Sequence, residues 1–131
     1  MSALEELRRH ADELAGVMGV RVRLVEAGMQ LYAVLDKVSL PTGAYRVGAT
    51  DALFITDQQY PLSAMDMFWT ELGVLRLDGS VPAGADSIET YLERQWRRFS
   101  WHRNGVWNPA GNCLLDHFEF MQARFALDVP K

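Results

Sequence analysis

The chain runs through two hydrophobic rhythms. Near its start, Leu4, Leu7, Ala11, Leu14 and Met18 recur at spacings of three and four, which places them on one face of a helix. Ser2 and Glu5 have the spacing of a capping box, and Gly16 and Gly19 suit the helix's termination. The rhythm then shortens. Val20, Val22 and Leu24 alternate with Arg21 and Arg23, as a strand with one buried face requires. Gly28 marks a turn, and residues 30–40, with Tyr32, Val34 and Val38, predict a second strand. Pro41-Thr42-Gly43-Ala44 reads as a turn or loop. Leu53, Phe54 and Ile55 centre a third strand over 51–56, and Met65, Met67 and Trp69 share one side of a fourth apolar run.

Beyond residue 74 the pattern is less regular. Asp78-Gly79 and Pro82 are turn signals. Asp86, with Glu89 three residues on, predicts the cap of a short helix whose stripe is Ile88, Leu92, Gln95, Trp96 and Phe99. Asn112 predicts the cap of a last helix with Leu114, Leu115, Phe118, Met121, Gln122 and Phe125 turned inward; this stripe reads as core. Asp128-Val129-Pro130-Lys131 is expected to fray. Helix and strand do not alternate as a parallel sheet requires. The simplest reading is a single α+β domain over 1–131: a helix, an antiparallel meander of three or four strands, an irregular stretch and a core helix.

Composition narrows the classes. The 131 residues suit one domain, and 49% hydrophobic with 23% charged residues is ordinary for a soluble globular protein. The net charge of -4 argues against a nucleic-acid binder, whose footprint is broadly basic. The one cysteine, Cys113, rules out an internal disulfide, and no Cys/His spacing predicts a metal site or other cofactor. The opening residues lack the regions of a signal peptide, and no apolar run spans a bilayer, so a cytoplasmic protein away from membranes is expected.

Three ordered segments carry a family resemblance. They are Ala49-Thr50-Asp51-Ala52-Leu53-Phe54-Ile55, then Tyr60-Pro61, then Asp66-Met67-Phe68-Trp69. Farther on, Trp107-Asn108-Pro109-Ala110 is similar to a Trp-x-Pro-Ala motif that precedes a core helix. Trp96-Arg97-Arg98-Phe99-Ser100-Trp101-His102 is similar to a signature of a prokaryotic branch. Together they resemble the ubiquitin-conjugating superfamily, and within it prokaryotic family E. The resemblance runs from about Val20 to Phe125. It implies the ubiquitin-conjugating-like fold, a bacterial ubiquitin-like modification or defence pathway, and two partners, a ubiquitin-like protein and its activating enzyme. It also implies that the first helix, with Leu4, Leu7, Arg8 and Arg9, lies where such domains meet the activating enzyme.

The family's chemistry is thioester transfer, which needs an accessible thiolate. Counting back from Trp107 to the family's cysteine position lands near Phe99 and Ser100, and no cysteine is there. Three readings stay open. Ser100 can carry an oxyester with His102 as its base, because a hydroxyl needs such a base near neutral pH. Cys113 can act instead, in the first turn of the last helix where the dipole lowers a thiol pKa; against this, free cysteine is usually buried and inert. Or no covalent step exists, and the domain is an adaptor. The family's His-Pro-Asn triplet is also missing, and Asn104, Asn108 and Asn112 all follow the expected site.

The basic and aromatic cluster of Arg94, Arg97, Arg98, Trp101, His102, Arg103 and Trp107 has two readings. It can bind a partner's acidic tail, a ligand or single-stranded nucleic acid, or it is core rings beside solvated arginines. Arg97, Arg98 and Trp101 are the partner-contact candidates there. His10 and His117 fall at polar helix positions and receive no role.

Overall fold

In a computed structural model, residues 2–103 and 106–127 are described. Asn104 and the Asp128–Lys131 tail expected to fray lie outside them. The order is α1 (Ala3–Met18), β1 (Arg21–Ala27), β2 (Gln30–Ser39), β3 (Ala49–Asp57), β4 (Phe68–Thr70), β5 (Ser87–Tyr91), β6 (Arg94–Phe99) and α2 (Cys113–Leu127). The strands form one sheet in the order β1-β2-β3-β4-β6-β5, with every pairing antiparallel. This is an α+β domain with six strands rather than four.

Local chemistry sets the ends of α1. The Ser2 hydroxyl accepts from the Glu5 amide at 3.1 Å and the Glu5 carboxylate accepts from the Ser2 amide at 2.9 Å, closing the capping box. Gly19 ends the helix at φ 68°, a left-handed conformation that costs glycine little. The capping residue of α2 is Asn112, whose Oδ1 accepts from the Leu115 amide at 3.0 Å.

The short helix expected after Asp86 is a β-hairpin, β5–β6. Trp96 and Phe99 are three apart, so on a strand they face opposite ways, whereas on a helix they would share a stripe. Trp96 packs with Val34, Leu53 and Trp69 on one face of the sheet, and Phe99 joins the main core on the other. The connecting pair, Leu92 and Glu93, sits at φ 55° and 61°, the left-handed backbone of a two-residue hairpin turn. Neither residue is the Asn or Gly that usually announces such a turn.

Both helices cover one face of the sheet. Leu7, Ala11 and Leu14 of α1 and Leu114, Phe118, Met121 and Phe125 of α2 meet the inward residues of β2, β3 and β6. Aromatic rings fill the centre: Phe68 stacks on Phe99 at 5.1 Å, and Phe125 lies edge-on to Phe68, Phe99 and Trp101. Met18, expected on the inward stripe, is exposed at the end of α1. Among the described residues, no helix is long and apolar enough to cross a membrane.

Two histidines set aside as polar are core groups. His117 is 0% exposed, bonds the Met67 carbonyl through Nε2 at 2.7 Å and meets Arg103 through Nδ1 at 3.4 Å. A carbonyl only accepts and a guanidinium only donates, so the ring is neutral with its proton on Nε2. Burial pushes its pKa down to about 4. His10 is buried against the Tyr60 hydroxyl, with Nδ1 to oxygen at 2.6 Å, and burial also lowers its pKa.

A pH dependence follows. Between pH about 4 and 6.5 the unfolded chain binds a proton at residue 117 that the native chain does not, so stability rises with pH there. Urea denaturation is expected to show His117's contribution fully present above pH 6.5 and falling by roughly 3 kcal/mol as pH drops to about 4. The carboxylates of Asp51 and Glu89, held low by their hydrogen bonds and arginine partners, add a loss at lower pH. The difference between wild type and His117→Gln isolates the histidine, and identical slopes in the two proteins would refute this assignment.

Candidate functional site

The site is built where two irregular segments meet at the end of the sheet. One follows β3 and contains the Tyr60-Pro61 turn and residues 62–67; the other follows β6 and leads to α2. The Trp107 indole N–H donates to the Pro61 carbonyl at 2.7 Å and ties the segments together. Its turn is closed locally: Asn108 Oδ1 accepts from the Ala110 amide at 3.1 Å and the Asn108 carbonyl from the Gly111 amide at 3.2 Å. The Trp-x-Pro-Ala motif is therefore a hydrogen-bonded corner that sets the start of α2.

Beside this corner lies a cavity of about 250 Å³, lined by Ala64, Met65, Asp66, His102, Arg103 and Trp107. His102 Nδ1 is 2.6 Å from Asp66 Oδ2. A carboxylate accepts, so Nδ1 carries the hydrogen of that bond, and in the neutral ring the lone pair is then on Nε2. The other Asp66 oxygen accepts from the Arg103 amide at 3.4 Å, and Arg124 donates to the His102 carbonyl at 2.8 Å. The His102 side chain is 63% exposed and Asp66 48%. Arg103 lies over the Trp107 ring at 5.1 Å and brings a positive charge to the cavity wall.

The Ser100–His102 pairing is not formed. The Ser100 hydroxyl accepts from Arg98 Nε at 3.2 Å and its amide donates to the Gly84 carbonyl at 3.0 Å, whereas the imidazole is turned to Asp66. Cys113 does lie in the first turn of α2, but it is 1% exposed and its thiol donates to the Asn108 carbonyl at 3.3 Å. Burial, and then the nearby Asp116 carboxylate, raise its pKa, so the lowering expected from the helix dipole is reversed.

The partner-contact candidates divide. Leu7 and Trp101 are both 0% exposed and present no surface; Trp101 is held by its indole N–H on the Ala83 carbonyl at 2.6 Å. Leu4 is partly buried against the core. Arg97 donates to the Leu72 and Ala85 carbonyls, and Arg98 pairs with Glu89 at 2.8 Å. Arg94 bridges Asp51 and Glu71, each at 3.0 Å. These arginines tie neighbouring strands and their connecting loops together. Arg8 is exposed, and Arg9 is exposed but paired with Glu6 and Glu13. Asp66 escaped the sequence reading because its partner lies 36 positions away. Its place at the head of the Asp66-Met67-Phe68-Trp69 segment was a signal, but it carried no role there. Among the described residues, no three His, Cys, Asp or Glu side chains are grouped to hold a metal ion.

The helix-flanked antiparallel sheet, the Tyr-Pro turn and the Trp-x-Pro-Ala corner define a ubiquitin-conjugating-like domain. The family described as Prokaryotic E2 family E matches residues 9–128, and the chain belongs to that family. No curated protein and no solved structure matches it.

The burial of Cys113 has a direct chemical consequence. A thiol reagent such as dithionitrobenzoate is expected to label the native protein at least about 100-fold more slowly than the urea-unfolded chain. Equal rates would place the thiol at the surface and reopen it as a nucleophile.

Proposed function

We propose that the domain positions a ubiquitin-like protein's C-terminus in the Asp66–His102–Arg103 cavity without becoming acylated itself, as a non-covalent component of a bacterial ubiquitin-like modification or defence pathway. One observation carries this reading. Both side chains that could accept the acyl group are engaged elsewhere, Ser100 with Arg98 and Cys113 with Asn108, while the cavity next to the family's site position is open and lined by an arginine. An arginine suits the carboxylate at the end of a protein tail. Family membership supports a ubiquitin-like protein and an activating enzyme as partners. Arg8 and Arg9 on α1 are the exposed residues left for the activating enzyme.

Intact mass after incubation with ATP, an activating enzyme and a ubiquitin-like protein tests the reading. With the activating enzyme shown to be charged, no adduct is expected on wild type, Ser100→Ala or Cys113→Ala. Filling the cavity through the exposed Ala64, as Ala64→Trp, is expected to weaken binding of the ubiquitin-like protein about tenfold, roughly 1.4 kcal/mol. A thiol-stable, base-labile adduct lost only in Ser100→Ala would contradict the reading, as would a thiol-sensitive one lost only in Cys113→Ala.

A further inference from the structure

Within the described residues, the Asp66–His102 pair is a polar arrangement the fold itself does not require. Both side chains stand at the surface, 48% and 63% exposed, so neither is there to satisfy a buried partner. Nevertheless the pair is short, at 2.6 Å, and it is braced on both sides. Asp66 also takes the Arg103 amide at 3.4 Å, and the His102 backbone is fixed by Arg124 at 2.8 Å. Both side chains line the same cavity of about 250 Å³. Among the described residues, His102 Nε2 has no hydrogen-bond partner. Orienting an imidazole through Nδ1 while its other nitrogen stays available is how a general base is prepared.

On the reading above that the cavity holds a ubiquitin-like C-terminus, we infer that His102 is a general base, positioned by Asp66, for direct transfer of the acyl group from a partner's thioester to an amine. The chain contributes no nucleophile. The amine nitrogen attacks the thioester carbonyl carbon, forming the C–N bond and breaking the C–S bond. The proton lost from nitrogen passes to His102 Nε2 and then to the departing thiolate, which leaves as a thiol with the imidazole neutral again. Atoms and charge balance with two co-reactants, a protein thioester and a primary amine. Arg103 on the same wall carries positive charge toward the carbonyl oxygen as it becomes anionic.

Asp66 is a positioning residue. An amide in its place can donate to Nδ1 and stabilise the opposite tautomer, with hydrogen on Nε2 and the lone pair turned away from the cavity.

The test is discharge of a ubiquitin-like thioester carried on its activating enzyme to free lysine, followed on non-reducing gels. In parallel, binding of the ubiquitin-like protein is measured by fluorescence anisotropy. Wild type is expected to accelerate discharge over the activating enzyme alone, His102→Gln to lose about 100-fold of rate, and Asp66→Asn at least about tenfold. Rates are compared at saturating domain, set from each variant's own binding curve, so that any loss of affinity is separated from loss of rate, and Asp66→Glu should restore part of the loss. The ¹⁵N shifts of the His102 ring are expected to report hydrogen on Nδ1 in wild type and on Nε2 in Asp66→Asn, and a rate loss in Asp66→Asn without that switch would overturn the positioning role. Ser100→Ala should discharge as wild type does. Full-rate discharge by His102→Gln with binding intact would overturn this inference and leave the positioning reading standing. Failure of wild type to bind would remove both. Binding by wild type without acceleration of discharge would overturn the general base alone.

Discussion

Much of this molecule turns on the Tyr60-Pro61 corner, which is gripped from both sides. The buried Tyr60 hydroxyl meets His10 of α1 at 2.6 Å, and the Pro61 carbonyl takes the Trp107 indole at 2.7 Å. These bonds join the first helix, the segment between β3 and β4, and the approach to α2, elements that no strand pairing connects. Asn112 adds a third link, capping α2 with one side-chain atom and reaching the His10 carbonyl with the other at 3.4 Å. Buried polar bonds of this kind are costly to leave half-made, so they specify one arrangement of the helices over the sheet. The cavity exists because the corner holds Ala64, Met65 and Asp66 opposite His102, Arg103 and Trp107.

The same burial decides which groups are chemically usable. Tyr60, His117 and Cys113 all lie where the charged form is penalised, and all are shifted toward neutrality. Each is occupied in holding the fold. Asp66 and His102 stand at the rim instead, exposed where a substrate can reach them. The division between a buried interior and an exposed rim separates residues that build the site from those proposed to work in it.

The outer elements were legible because their signals are local. The capping box at Ser2 and Glu5, the stripe of Leu7, Ala11 and Leu14, and the Asn112 cap lie within single elements, β1 alternates in sequence, and β2 and β3 carry apolar runs buried on both faces of the sheet. The β5–β6 hairpin was not legible. Its turn uses Leu92-Glu93 in a conformation those residues seldom adopt, and its apolar positions imitate helical spacing. Counting back from the Trp-x-Pro-Ala segment put the expected site near Phe99 and Ser100. Its pairing was hidden, since a two-residue spacing brought Ser100 and His102 to mind while the contact that forms joins positions 66 and 102. His10 and His117 were misread for the same reason: a helical wheel shows polarity, not the hydrogen bond across the core that makes burial affordable.

The most direct test is a map of where the tail of a ubiquitin-like protein sits. Two-dimensional ¹H–¹⁵N NMR spectra of this domain, titrated with a peptide carrying such a C-terminal tail, report that site residue by residue. Perturbations are expected to concentrate on Ala64–Asp66, the backbone of His102 and Arg103, and the Trp107 indole. Perturbations confined to the sheet's Tyr32–Trp69–Tyr91 face, or none at saturating peptide, would contradict the assignment of the cavity.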